Sequence, residues 1–429
     1  MPDSRREFLA KTAGIGLAAT FLPLIQPAGH RAVHAAAEKL DGQSPLRSAT
    51  DERFWTQVRN AFNLSPQFIN LEAGYYSPQP DAGVDEVSTQ AQQINELFSF
   101  YMRRQWLDDV ASVNKLLARF TGCSDEEVLI TRNTTESLNI VIMGLDLKAG
   151  DEAIFGKYEY GSMKVAFQQR AAREGIVATE LDLQINAMSD DEIVAAYRDA
   201  ITADTKVILV SHIVYLTGQV LPVRRISDMA HERGVEVIID GAHSFAHLAD
   251  NIADLHGDYY GASLHKWMTA PIGTGLLYVK KEKIDTLWPL FGDWGYASDR
   301  IRKLGHFGTC PPYLLFGIAE AIRFNEAIGR ERKEARLRHI KNYWVERLAD
   351  VPGIVVHTPT ADHRACAISA VGIEGWEPGA LADALYDRYR IFTVSPGYPG
   401  AIRICPNIYT STGELDRFVA AMQELASEA

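Results

Sequence analysis

Val235-Glu236-Val237-Ile238-Ile239-Asp240-Gly241-Ala242-His243 is a compact apolar run that ends on a carboxylate and a glycine turn. Similar runs recur at Val128-Leu129-Ile130, Glu152-Ala153-Ile154-Phe155 and Val207-Ile208-Leu209-Val210, each bounded by glycine or charged residues. Runs that are apolar on both faces fit strands covered by helices on either side. Helical spacing over 193–203 and 226–233 places such helices between them, so the pattern predicts a mostly parallel α/β sheet. Upstream, Ile94, Leu97, Phe98 and Tyr101 recur at three- and four-residue steps within a helical stretch over 88–120. Downstream of Pro311-Pro312 a long helical pattern runs from Leu314 through Asp350. Segments near Ile354, Ile368 and Ile402 then suggest a smaller α+β domain.

Asp240 sets the chemistry. A carboxylate buried at a strand end needs a cationic or donor partner, because an unpaired buried charge is expensive. A protonated pyridine nitrogen is such a partner. Ser263-Leu264-His265-Lys266-Trp267 follows, then Pro271-Ile272-Gly273-Thr274-Gly275 ahead of a strand-like 276–279. A lysine that forms an imine must lose its proton, which favours a dry pocket or cationic neighbours. Taken singly, these residues read as a helix cap, a satisfied core histidine and a solvated lysine.

The ordered set D-G-A-H, S-x-H-K-W and P-x-G-T-G resembles the cofactor site of the class V aminotransferases, fold-type I enzymes that use pyridoxal 5′-phosphate (PLP). The similarity is strongest to the isopenicillin N epimerase branch. The resemblance implies a seven-stranded-type large domain and a small C-terminal domain. It makes Lys266 the Schiff-base lysine and Asp240 the partner of the pyridinium nitrogen. His243 would sit near the ring, on its O3′ or imine side, and Ser263 and His265 would bind phosphate.

Thr131-Arg132-Asn133-Thr134-Thr135-Glu136-Ser137 lies between a strand-like and a helical run, where free N–H groups and hydroxyls can meet an anion. Plain capping would account for these residues as well. The segment resembles the family's T-x-G-x-T-E loop, which makes Thr134 and Thr135 phosphate ligands. Glu136 is expected to support the helix start, and Asn133 stands in place of glycine through its tolerance of unusual backbone angles. The family's stacking aromatic corresponds to Tyr160, with Tyr158 an open alternative, and Tyr215 falls where relatives place a donor to O3′. Thr309, in Gly305-His306-Phe307-Gly308-Thr309, resembles a threonine that reaches the neighbouring protomer's phosphate. Arg403, in 401–410, resembles the arginine that clamps a substrate carboxylate, a task suited to a planar guanidinium.

The chain has 429 residues, 47% hydrophobic and 23% charged, with a formal net charge of −12. That charge argues against a nucleic-acid partner. Four cysteines without C-x-x-C spacing indicate no zinc knuckle, no metal site and no disulfide framework. Ser4-Arg5-Arg6-Glu7-Phe8-Leu9, an apolar stretch over 13–25 and small residues at 33–37 resemble a twin-arginine (Tat) signal, cleaved after Ala35 or Ala37. The expected division is therefore a signal over 1–37, a linker over 38–52, a PLP-binding domain over 53–310 and a small domain over 311–429. The Tat translocase and a periplasmic location follow from the signal, and a homodimer with a shared site follows from the resemblance.

PLP supports several reactions, so the motifs define the cofactor more firmly than the outcome. The segment 393–400 lacks the mobile cysteine that desulfuration needs. Expectation therefore falls on aminotransferase-type conversion of an amino acid, free or borne by a peptide natural product such as a siderophore. Epimerisation and a non-catalytic PLP-binding sensor are the alternatives.

Overall fold

The structure is a computed structural model that describes residues 28–40 and 42–428. The Tat-like motif and the apolar stretch behind it lie outside those residues. Seven strands form the central sheet: β2 (Val128–Thr131), β3 (Glu152–Gly156), β4 (Val177–Leu181), β5 (Thr205–Ser211), β6 (Glu236–Asp240), β7 (Tyr259–Ser263) and β8 (Gly275–Val279). Their spatial order is β2-β8-β7-β6-β5-β3-β4. Only β8 runs antiparallel to its neighbours, β2 and β7.

Alternate side chains of each central strand enter different cores, as period-two geometry demands. Val207 and Leu209 of β5 pack with Ile238 of β6 against Leu138, Val141 and Phe167 on one face. Ile208, Val210, Val237 and Ile239 pack against Leu117, Phe120 and Ile226 on the other. Both faces are dry, which is why these runs read as continuously apolar.

The small domain carries an antiparallel sheet of β9 (Ile354–Val356), β10 (Ser369–Ile373) and β12 (Ile402–Ile404), ordered β12-β10-β9. A parallel pair, β1 (Ile69–Asn70) with β11 (Ile391–Phe392), ties the early chain to it. The helix expected over 314–350 is two helices, Leu314–Ile328 and Arg330–Leu348, because Gly329 adopts φ +88° between them. The helical stretch over 88–120 also divides, into Asp81–Arg104 and Trp106–Thr121, with Phe98 at non-helical angles inside the first.

Residues 38–40 and 42–52 do not form a linker. Ser44 caps the helix Pro45–Ala49, Ser48 and Ala49 are buried, and Glu52 pairs with the fully buried guanidinium of Arg336. Val33, Phe54, Trp55 and Val58 join Trp344, Phe418 and Ile404 in one core. Residues 28–73 therefore belong with the C-terminal core, and the small domain is built from both ends of the chain. The cleavage positions expected after Ala35 and Ala37 fall inside the helix Ala28–Glu38, which seats Val33 and Ala37 in that core.

Gly218 joins the two domains at a point where no side chain fits. Its φ is +76°, and a Cβ there would lie 1.9 Å from the carbonyl oxygen of Ile368. Gly218→Ala is expected to lose roughly 3 kcal/mol of stability, through backbone strain and displacement of the segment before β10. Thermal unfolding checks this, and a melting temperature equal to wild type contradicts it.

Candidate active site

β6 and β7 deliver the chemistry to the C-terminal edge of the sheet, where open α/β folds bind ligands. Asp240 ends β6, Ser263 ends β7, and the turn after Ser263 presents His265 and Lys266. The helix Thr134–Gly144 starts at the same edge. A cavity of about 520 Å³ opens there. It is lined by Asp240, His243, Ser263, His265 and Lys266, by Thr134 and Thr135, and by Tyr160, Tyr215 and Arg403. The cofactor- and substrate-binding residues singled out in the sequence thus meet in one cavity, apart from Tyr158, the alternative stacking aromatic, and Thr309, which is exposed and not part of the lining.

Lys266 is partly open to the cavity, yet enough protein surrounds its ammonium that burial pushes its pKa down to about 8; Asp240 opposes the shift and Arg403 adds to it. His243 Nε2 lies 3.3 Å from Lys266 Nζ, and the indole Nε1–H of Trp267 donates to His243 Nδ1 at 3.3 Å. That indole bond leaves the proton of a neutral His243 on Nε2, facing the lysine. Burial, reinforced by Lys266 and Arg403, drives the His243 pKa well down, so the ring is neutral. His247 stacks on Trp267 with centroids 3.7 Å apart and is fixed by the Ala367 N–H at 2.9 Å.

Burial raises the Asp240 pKa, against the opposing pull of the Ala242 N–H and Lys266. Its carboxylate accepts from Ala242 N at 2.9 Å. A cationic ring nitrogen is the kind of partner this buried acid calls for.

At the other end of the cavity, Thr134 N–H donates to Ser263 Oγ at 2.9 Å, and the two hydroxyls lie 2.8 Å apart. Asn133 caps the helix through Oδ1 to Glu136 N–H at 2.9 Å, with φ −174°. Its role is therefore capping in extended backbone, not the unusual angle expected of it. Glu136 reaches back to the Arg132 N–H at 2.7 Å, completing the helix start. The hydroxyls of Thr134, Thr135 and Ser263, gathered at a helix N-terminus, suit a phosphate. His265 Nδ1–H donates to the Thr274 carbonyl at 3.0 Å, so Nε2 donates to an anion only when the ring is protonated.

Tyr160 meets Tyr215 edge-on at 5.5 Å in the cavity, whereas Tyr158 packs outside it against Tyr398. Two acids escaped the sequence reading. Glu72, buried, pairs with Arg403. Glu159 is fully enclosed and accepts from Ser211 N–H at 3.0 Å; burial pushes its pKa up to about 8. Neither sits in a motif, and the only local signal is a lone acid between apolar or aromatic neighbours.

The buried acid, the depressed lysine and the hydroxyl-lined helix start fit PLP, and they define a PLP-dependent enzyme of fold type I. The chain belongs to the class-V aminotransferase family, which it matches over residues 87–405. It is 29% identical to isopenicillin N epimerase of Amycolatopsis lactamdurans over 396 residues, covering 87% of this chain and 98% of the relative. It is also 31% identical to a cysteine desulfurase of Haloferax volcanii over 271 residues, covering 59% and 62%. Among solved structures, a C-DES mutant with glycine covalently linked to its PLP cofactor shares the fold at TM-score 0.79 and 21% identity, covering 85% of this chain and 99% of that one. An apo cysteine desulfurase from Thermococcus onnurineus does so at 0.76 and 24%, covering 87% and 98%.

The lysine's depressed pKa has a direct readout. Capture of PLP by the apoenzyme needs neutral Nζ, so its rate should rise about tenfold per pH unit below the pKa. It should level above about pH 8. Stopped-flow absorbance measures this, and a rise that continues past pH 10 refutes the assignment.

Proposed function

We propose that this chain is an exported enzyme that converts the amino group of an amino acid residue carried by a peptide natural product, with aminotransferase-type chemistry. The observation that carries the reaction type is that Lys266 is the one lysine among the described residues that line the cavity. Among the described residues, Lys266 Nζ has one hydrogen-bond partner, His243, whose Nδ1 is already engaged by Trp267. Epimerisation needs a second acid on the opposite face of the substrate. Tyr158 lies outside the cavity and His243 serves the same lysine, so that task would fall to one of the tyrosines that line the cavity, Tyr160 among them.

PLP supplies the electron sink that allows a bond at the substrate α-carbon to break. Lys266 Nζ would take the proton from the substrate α-carbon and deliver it away from that carbon, as a base whose pKa lies close to working pH. His243 holds that nitrogen in place. Asp240 would hold the ring nitrogen cationic, Thr134, Thr135 and Ser263 would anchor the phosphate, and Arg403 would orient the substrate.

The Ser4–Leu9 motif supports export through the Tat translocase to the periplasm, a route that carries proteins already folded around their cofactor. An exported enzyme of this family fits a siderophore peptide of the pyoverdine type, with a glutamyl residue as the reacting group. Exposed Trp288, Phe291, Trp294 and Tyr296 precede Thr309 and support a homodimer that brings a partner threonine to each cavity. Sedimentation that finds only monomers in fully loaded enzyme would refute the dimer.

Incubation of the holoenzyme with a glutamyl pyoverdine precursor in heavy water tests the function. A mass change at the glutamyl amino group is expected. Inversion with deuterium at the α-carbon and an otherwise unchanged product would favour epimerisation through one of those tyrosines. Turnover of free amino acids with an untouched precursor would overturn the proposal.

A further inference from the structure

Arg403 does not meet the cavity as a free cation. It stands in the middle of β12, and its Nε donates to Glu72 Oε2 at 3.2 Å while Nη2 donates to Oε1. Nη1 donates to the carbonyl oxygen of Tyr215 at 3.1 Å. The two charged side chains are only 8% and 4% exposed, so solvent does little to screen them. Arg403 lines the cavity but Glu72 does not, which puts the acid behind the guanidinium. Gly74 lets the chain pass close by, since a Cβ there would lie 3.2 Å from the guanidinium carbon. Three of the five N–H donors of an arginine are therefore in use, and the pair has no net charge.

A guanidinium with no counter-ion prefers a carboxylate to a carboxamide strongly, because charge-assisted hydrogen bonds are about twice as strong as neutral ones. With an acid at its back, the same group offers two donors and little net attraction for an anion. A substrate carboxylate would also feel repulsion from Glu72.

We infer that Glu72 is a specificity-determining residue: it neutralises Arg403 from behind, so the cavity takes an amide carbonyl about as readily as a free carboxylate. The substrate class this admits is an amino acid residue already joined through its carboxyl group, as in a peptide. The inference rests on Arg403 being the substrate clamp, and it names what that clamp selects.

N-acetylalanine and N-acetylalaninamide test it, since neither has a free amine and neither reacts. Their dissociation constants for the holoenzyme, by calorimetry, should agree within about threefold. In Glu72→Gln the carboxylate should gain at least about tenfold over the amide. A residue that merely positions Arg403 would weaken both ligands alike and leave the ratio unmoved, and that result overturns the inference. A wild-type preference for the carboxylate beyond about tenfold overturns it as well. Glu72→Asp, which withdraws the charge without removing it, should shift the ratio the same way by less, and it serves if Glu72→Gln does not fold. Arg403→Gln separates the two levels. If it leaves both affinities unchanged, the clamp reading fails together with the inference. If it weakens binding while Glu72→Gln leaves the ratio unmoved, only the role of Glu72 fails.

Discussion

Lys266→Ala is expected to abolish the visible absorbance band of the loaded enzyme and to lower turnover about 10⁴-fold or more, the upper end of what a positioned acid–base group contributes. Two losses combine in one residue. The covalent anchor of the cofactor disappears, and so does the one cavity-lining amine whose pKa, at about 8, is matched to neutral pH. His243 does not replace it. Its Nδ1 is engaged by the indole of Trp267, and burial holds its pKa too low for it to carry a proton at neutral pH. The fold should survive, because alanine at 266 removes a buried amine that is costly to charge. Circular dichroism and phosphate-dependent PLP binding separate loss of chemistry from loss of structure. A variant that keeps both the band and turnover would show that another amine holds the cofactor.

Much of this was legible from the chain because the governing patterns are local. The strands of the central sheet are apolar on both faces, so Val207–Val210 and Val235–Ile239 announced themselves without periodicity. Asp240, His243 and Lys266 follow strand ends, where a parallel sheet gathers its functional groups, and cavity geometry brings them together. The helix break at Gly329 was hidden by apolar spacing that continues through it, since a glycine inside a helical pattern is ordinarily tolerated. Residues 38–52 read as a linker because the helix Pro45–Ala49 is too short to display a period, and its buried side, Ser48 and Ala49, is chemically bland. What holds that segment is Arg336, nearly three hundred residues away.

Pairings over that range leave no sequence signal. Glu72 meets Arg403 across 331 positions, and both would read alone as surface charges. Only the packing of β1 beside β11, with Glu72 bridged to Cys405, turns them into a buried pair. The tautomer of His243 is a similar case. Trp267 follows the lysine in sequence, but its indole matters because the turn folds it back onto the histidine of the preceding strand end.

Asp240→Asn should pull stability and activity in opposite directions. In the folded apoenzyme burial holds the Asp240 pKa above its ordinary value, so the folded state binds a proton more readily than the unfolded chain does. Stability linked to that proton is complete below the unfolded pKa and is lost as pH rises through the folded one. At neutral pH the ionised carboxylate is therefore a net cost to the apoenzyme, and a neutral amide of the same shape removes it. The Asn variant should melt about 2–4 °C higher than wild type in the absence of cofactor, with the difference shrinking as pH falls toward the ordinary carboxylate range. Loaded with PLP, the order should reverse. The amide cannot hold the ring nitrogen cationic, and loss of an electrostatic contact of this kind lowers turnover by roughly 10²–10³-fold. Differential scanning calorimetry of both forms, run beside the kinetic assay, reads the two effects together. An Asn variant that is less stable than wild type without cofactor would mean that Asp240 has a structural partner of its own and is not held in reserve for the cofactor.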